Sequence, residues 1–236
     1  MMLVGIDDTD TLDTPGTNQL ARRLAEVLPP GFTCDLVLRH QLFFDPRVPY
    51  TSKNGSASLR IRREAGAVTD DLIALLQKEM RAWYVPGSDP GLCVAETVPD
   101  EVRAFARRCQ GQVVTQEEAR RLAAVHQLHL EAFGGTEGGV IGALAAVGLL
   151  AGGNDGRVVH LAGWQWPDDF VGPQPVEAVL ARGVEEIVDA EKGASIRTGI
   201  VDVGKHLRPS YRRGRVVLFV QAEDARAGHW RARKLE

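Results

Sequence analysis

The order in which the hydrophobic period changes along residues 1 to 97 constrains the fold most. Met2 to Ile6 reads as a buried strand, and Leu20, Ala21, Leu24, Ala25 and Leu28 then recur at helical spacing over residues 17 to 28. A β-rich stretch follows from Thr33 to Leu42, centred on Cys34 to Leu38, and Ser56 to Arg62 points Ala57, Leu59 and Ile61 inward. Leu72, Leu75, Leu76 and Met80 mark one face of a helix from Thr69 to Trp83, and Gly91 to Ala95 reads as a fourth strand. The order β-α-β-β-α-β is that of the ferredoxin-like split βαβ unit, an antiparallel sheet with two helices on one face. The expected fold class is therefore α+β: a ferredoxin-like N-terminal part at 1–97, a second α/β part at 98–221 packed against it, and a loose tail at 222–236 that lacks a periodic apolar face.

The first strand runs into Gly5-Ile6-Asp7-Asp8-Thr9-Asp10, and Asp13 follows before the first helix. Aspartate oxygens suit Mg²⁺, which usually keeps several waters and takes one or two carboxylates, while the free N–H groups at a helix start hold phosphate oxygens. Asp7, Asp8 and Asp10 are thus candidate metal ligands. Thr17, at the expected N-cap, has its hydroxyl beside both acids and helix dipole. Asp and Thr are also ordinary turn and cap residues, so spacing alone leaves both readings open. Between the second and third strands, Pro46 to Ser56 is longer than a tight hairpin needs, and Lys53 and Asn54 could reach a phosphate or base; a surface lysine and an Asn-Gly turn explain them equally well.

A second chemical stretch is Phe133-Gly134-Gly135-Thr136-Glu137-Gly138-Gly139, which feeds an apolar segment from Val140 to Leu149. Glycines permit positive φ and close backbone approach, and the helix that follows offers N–H groups to an anion, so Gly134, Gly135, Thr136, Gly138 and Gly139 are candidate phosphate contacts. There is no Gly-Lys-Ser/Thr, so this is not a Walker A loop. The helix is apolar on every side and carries Gly142 and Gly148, which predicts full burial with another backbone lying close. Helices are also expected at Glu101 to Cys109 and Glu117 to Leu128. His126 and His129 have metal-pair spacing but no third ligand nearby, which favours a structural pair. Further on, Val158 to Ala162 and Arg215 to Gln221 read as strands, with a Pro- and Trp-bearing loop from Trp164 to Pro175. Lys205, His206, Arg208, Arg212, Arg213 and Arg215 form a local basic cluster, from which Lys205 and His206, with Arg197, could converge on phosphate; a solvated charged turn is the commoner meaning.

The net charge of −3 and pI near 6.1 provide no global positive field for nucleic acid or membrane. Three cysteines without a CxxC pair argue against a disulfide framework or zinc ribbon and for a reducing compartment. The start has no signal-peptide character, and the longest apolar stretch, Val140 to Ala151, falls short of the ~18 residues a span needs, so a cytoplasmic protein is expected.

The Asp-rich stretch with Thr17, the Pro49 to Ala57 loop, Gly138 to Gly148, and Asp189 to Gly193 together resemble the archaeal isoleucine-tRNA agmatinylcytidine synthetase family, in the same order, from residue 2 to about 221. That family uses ATP and agmatine to modify the anticodon wobble cytidine, and its kinase-like domain carries a phosphorylatable threonine downstream of the aspartates. Aligning Asp10 and Leu20 places Thr17 on that threonine. The resemblance implies ATP and Mg²⁺ as cofactors, with Asp7, Asp8, Asp10, Thr17 and Lys53 in the chemistry. Thr9, Asn54, the glycine loop, Arg197, Lys205 and His206 would contact the nucleotide. The family's Cys-Thr-Thr reads Gly16-Thr17-Asn18 here, and its Lys after the loop aromatic reads Thr51 after Tyr50. Its tRNA-binding OB-fold and zinc ribbon are expected to be missing, since the three cysteines include no CxxC pair. ATP binding is thus expected to carry over better than tRNA modification. The expected activity is ATP- and Mg²⁺-dependent phospho- or nucleotidyl transfer to a small molecule or with a partner protein. Binding to tRNA would be weak at most, with no membrane and with dimerisation left open. The alternatives are a non-catalytic nucleotide-binding regulatory module and a minimal tRNA-modifying ligase that needs a partner.

Overall fold

Strand β1 (Met2–Asp7) alternates Met2, Val4 and Ile6, almost wholly buried, with Leu3, Gly5 and Asp7 on its other side, as a strand covered on both faces requires. The computed structural model describes residues 1–48, 53–165, 170–223 and 228–234. Pro49 to Ser52 of the expected loop, 166–169 of the Pro/Trp stretch, and 224–227 and 235–236 of the expected tail lie outside the described residues.

In the first unit, β1 leads through α1 (Thr17–Glu26) to β2 (Phe32–Arg39) and β3 (Ala57–Arg63), then through α2 (Thr69–Trp83) to β4 (Gly91–Ala95). The strands lie in the order β4-β1-β3-β2 with every neighbouring pair antiparallel, which is the split βαβ arrangement the periodicity implied. Leu20, Ala21 and Leu24 of α1 and Leu72, Leu76 and Met80 of α2 are buried, and Arg23 ties the helices together by pairing with the buried Glu79 at 2.8 Å.

Three more helices and a strand complete this unit: α3 (Asp100–Arg108), α4 (Gln116–Val125), β5 (His129–Ala132) and α5 (Gly139–Gly152). β5 adds to the sheet beside β4. It begins just past the stretch read as helical to Leu128, because α4 stops at Val125. The glycine-bearing helix α5 is buried as expected and covers the sheet face opposite α1 and α2, where it joins Cys93, Ala95, Val102 and Phe105 in one core. Close approach is why small residues are needed: a Cβ on Gly5 would lie 2.1 Å from the Ala143 carbonyl oxygen, and one on Gly91 2.2 Å from the Gly139 carbonyl carbon.

The chain forms two units, Met1–Gly152 and Gly153–Glu236. The expected boundary at 97/98 is therefore corrected. Residues 98–152 belong with the ferredoxin-like sheet because α5 supplies its second cover, a contact that local periodicity does not reveal.

The second unit contains β6 (Arg157–Leu161), β7 (Pro173–Pro175), α6 (Val176–Ala181), β8 (Glu186–Asp189), β9 (Ile200–Asp202), β10 (Ser210–Arg212), β11 (Arg215–Ala222) and β12 (His229–Ala232). Its strand order is β6-β10-β11-β12-β9-β7, with β8 parallel to β11. The supposed loose tail is corrected too: β12 pairs antiparallel with β11 and parallel with β9, so distant partners order a segment too short to show a period. The basic cluster is in part a hairpin turn, with φ of 54° at Arg213 and 73° at Gly214, the primed-turn pattern that matches strand twist. Arg215 is paired with Glu186 at 3.0 Å.

Candidate functional site

At the end of β1 the chain delivers Asp7 and then turns sharply, with Asp8 at φ 52°, a left-handed conformation that aspartate tolerates better than most side chains. Because β4 runs antiparallel to β1 with Asp7 opposite Gly91, the residues just before β4 arrive at the same place. Asp89 thus joins the cluster: its N–H donates to the Asp8 carbonyl at 3.1 Å. Sequence reading missed it. The available signal was a Ser-Asp-Pro-Gly step at the start of a strand antiparallel to the aspartate-bearing one.

Gly142 makes room for Asp7, since a Cβ there would fall 1.7 Å from Asp7 Oδ2. Half-buried beneath α5, Asp7 has its pKa raised to about 8, first by loss of water and then by the neighbouring Asp8 and Asp10 charges, against a backbone hydrogen bond that lowers it. Asp8 is pushed up to about 6 by burial and by the charges of Asp89 and Asp10. A cavity of about 180 Å³ opens over these groups. Asp7, Asp8 and Asp89 form its acidic end, Leu42, Phe43 and Ile141 contribute apolar wall, and Asn54, Gln112 and Gln116 bring amides. No Lys, Arg or His is among the described residues that line it.

The expected site residues separate into groups. Asp7, Asp8, Asn54, Thr136 and Gly138 line the cavity. Thr9, Asp10 and Thr17 form a hydrogen-bonded chain of their own: the buried Thr9 hydroxyl donates to Thr17 Oγ1 at 3.2 Å, and Thr17 Oγ1 donates to Asp10 Oδ1 at 3.0 Å. Thr17 is not the N-cap. Gly16 holds that position without a side-chain bond, so the hydroxyl is free to serve Asp10 instead of the helix. Lys53 is exposed and does not line the cavity, while Asn54 uses its Nδ2 to donate to the Phe43 carbonyl at 2.8 Å. Arg197, Lys205 and His206 lie in the second unit.

The glycine loop has the predicted positive φ, 148° at Gly134 and 64° at Gly135, but in this structure it cradles a carboxylate. Thr136 N–H donates to Asp89 Oδ1 at 2.6 Å, Thr136 Oγ1 donates to Asp89 Oδ2, and Gly139 N–H donates to the Asp89 carbonyl at 3.1 Å. A Cβ on Gly135 would overlap Asp89 Oδ1, so glycine there is needed for the acid to enter. Among the described residues no three of His, Cys, Asp and Glu form a ready metal cage. The Nε2 atoms of His126 and His129 face different acids, Glu101 at 3.8 Å and Glu131 at 3.2 Å.

No protein-family model matches the chain. Over 152 residues it is 31% identical to TiaS, the isoleucine-tRNA 2-agmatinylcytidine synthetase of Methanocorpusculum labreanum, covering 62% of this chain and 34% of that one. This chain resembles TiaS. The fold agrees: a solved complex of TiaS with isoleucine tRNA and ATP superposes with a TM-score of 0.55 at 19% identity over 83% of this chain and 48% of that one. A complex of TiaS with isoleucine tRNA, AMPCPP and agmatine gives 0.54 at 20% over 76% and 43%. The chain spans about a third of the curated TiaS it matches and less than half of either solved TiaS chain. No helix among the described residues is long and apolar enough to cross a membrane.

Proposed function

We propose that this chain binds ATP with Mg²⁺ at the Asp7–Asp8 end of the cavity and transfers a phosphoryl or nucleotidyl group to an acceptor. One observation carries the reading: two half-buried carboxylates, both raised in pKa by loss of water and like charge, face a cavity without a basic side chain among its described lining residues. Such a cluster is relieved by a cation, and Mg²⁺ needs only one or two carboxylates when phosphate oxygens and water complete its shell. Asp7 and Asp8 would hold the ion with Asp10 close by. Bound there, Mg²⁺ supplies charge neutralisation for the phosphate oxygens. The likeness to TiaS, solved with ATP and with AMPCPP, supports the nucleotide.

In this reading Thr17 accepts or positions the γ-phosphoryl group: as the Oγ1–P bond forms, the bond from that phosphorus to the bridging oxygen breaks and ADP leaves, and Asp10, which already accepts the hydroxyl's hydrogen bond, takes the proton. Thr136, Gly138 and the start of α5 take phosphate oxygens once Asp89 yields its hold on Thr136. Lys53, next in sequence to the cavity-lining Asn54, is the lysine of this unit that would neutralise developing charge. The acceptor is a small molecule, and agmatine, present in the TiaS complex, is the first to test. With its net charge of −3, the chain alone should hold tRNA no tighter than the non-specific range of ~10⁻⁴ to 10⁻⁶ M at physiological salt. Filter binding at ~150 mM salt checks this; sub-micromolar, isoacceptor-selective binding would make tRNA the acceptor.

Calorimetry with a non-hydrolysable ATP analogue, with and without Mg²⁺, on the wild type and Asp8→Asn tests the site, and ATP consumption by the wild type tests turnover. Mg²⁺-dependent binding lost in Asp8→Asn is expected. Binding that ignores both Mg²⁺ and the substitution would refute the reading, and binding without any ATP consumption would leave a nucleotide-binding module.

A further inference from the structure

Asp7 has a neighbour in the sheet that none of the roles above uses. β1 and β3 pair with Gly5 opposite Ser58 and Ile6 opposite Ala57, where the pairing ends; continued by one residue, the same register brings Ser56 across from Asp7. Residues directly opposite in an antiparallel pair share a face, and for Asp7 that face is the one beneath Gly142 of α5. On the β4 side Asp7 is flanked by Gly91, which has no side chain to offer. Among the described residues, Ser56 is therefore the side chain that the register sets across from this carboxylate.

Ser56 is fully buried, and its Oγ has no hydrogen-bond partner among the described residues. Its backbone is held, since its carbonyl accepts from the His40 N–H at 2.9 Å, so the hydroxyl is left over from a well-fixed position. The other buried serines with a side-chain bond make the contrast: Ser58 Oγ meets His40 Nε2 at 2.7 Å, and Ser88 Oγ donates to the Val85 carbonyl at 2.8 Å. A buried hydroxyl left unpaired costs free energy, and a water or ion at the site is one way a native protein satisfies it.

We propose that Ser56 Oγ is a neutral oxygen ligand for the divalent cation held at Asp7 and Asp8. The inference rests on the cation-site reading given above and adds a residue next to β3 to it. A hydroxyl oxygen suits a hard cation such as Mg²⁺, and it adds no further negative charge to a place where two carboxylates already repel. It also explains why a buried position beside an acid carries serine in place of an apolar residue.

The test uses the full chain and reads metal binding directly. Mg²⁺ and Cd²⁺ affinities are measured by calorimetry for the wild type, Ser56→Ala, Ser56→Cys and Asp8→Asn. Ser56→Ala should weaken Mg²⁺ binding on the order of tenfold or more. Ser56→Cys should weaken Mg²⁺ and strengthen Cd²⁺, because a thiolate prefers the softer ion. Cys34, Cys93 and Cys109 are common to all four proteins, so the Cd²⁺-to-Mg²⁺ ratio is read against the wild type. A serine that only packs would lower the melting temperature and leave that ratio unmoved, which overturns the proposal. Unchanged Mg²⁺ binding in Asp8→Asn sinks the cation site itself, whereas loss in Asp8→Asn with normal affinities in both Ser56 variants sinks only the role of Ser56.

Discussion

Placing a single methyl group at Gly142 should separate the site from the fold. A Cβ at this position would stand 1.7 Å from Asp7 Oδ2 and 2.3 Å from Asp7 Cγ, so the carboxylate must move. At Gly148, further along α5, a Cβ would meet the Ala106 Cβ at 2.5 Å and the Val102 carbonyl oxygen at 2.7 Å, neither of which can swing aside. Both Gly→Ala changes gain about 1 kcal/mol of helix propensity. Overpacking a rigid contact costs about 1–3 kcal/mol, so Gly148→Ala should end up destabilised by up to about 2 kcal/mol, a fall of several degrees in Tm for a chain of this size. Gly142→Ala presses on Asp7 Cβ at 2.9 Å as well as on its carboxylate, so it too should be destabilised by up to about 2 kcal/mol, and the two variants part in affinity and not in Tm. With Asp7 pushed off position, its affinity for the Mg²⁺–nucleotide complex should fall roughly 10–100-fold, while Gly148→Ala keeps its affinity. Scanning calorimetry and titration calorimetry on the two variants decide the matter. Normal nucleotide affinity in Gly142→Ala, or a binding defect in Gly148→Ala as large as its partner's, would refute the reasoning.

Asp7→Asn should stabilise the ligand-free protein at neutral pH. The carboxyl ionises near 3.8 when unfolded and near 8 when folded, so between these values the native state holds the extra proton and wild-type stability falls as pH rises. The substitution should remove that slope, on the order of a few kcal/mol by pH 7, and denaturant melts from pH 4 to 8 that run parallel for both proteins would contradict it. Thr17→Ala should cost about 2 kcal/mol of stability, because it loses the hydrogen bonds from Thr9 and to Asp10 but no helix cap, yet it should abolish ATP turnover and any phosphorylation seen by mass spectrometry; Thr17→Ser should keep both. Asp89→Ala should bring the Asp8 pKa down from about 6, since the Asp89 charge is the largest electrostatic contribution to its rise, and an NMR titration of the Asp8 carboxyl that shows no decrease rules this out.

Local pattern determined much of the first unit. Thr69–Trp83 and Gly91–Ala95 were legible to the residue, because an amphipathic helix and a fully buried strand each carry their period within themselves. The strand order followed from connectivity, and the burial of α5 from its lack of a polar side. Non-local pairing was not legible. β12 is ordered by β11 and β9, and β5 by β4, although neither segment has a period of its own. The same limit applies at the site. Asp7 and Asp8 announce themselves by exiting an apolar strand, whereas Asp89 joins them only through the β1–β4 register. Thr17 looked like a cap because it stands at a helix start, and only the position of Asp10 shows what its hydroxyl does.

The docking of α5 onto β1 joins the first strand of the unit to its last helix, with Gly142 roofing Asp7. Contacts of such long sequence separation reward the chain only after a long loop has closed, which slows folding. During synthesis β1 emerges early, but its acidic pocket stays unroofed until α5 has been made and seated. A ligand that grips Asp7 beneath this helix therefore acts as a clasp between the two ends of the unit. Its binding free energy opposes global unfolding more than local fraying, so amide exchange in the β1–β4–α5 layer should slow with ligand concentration.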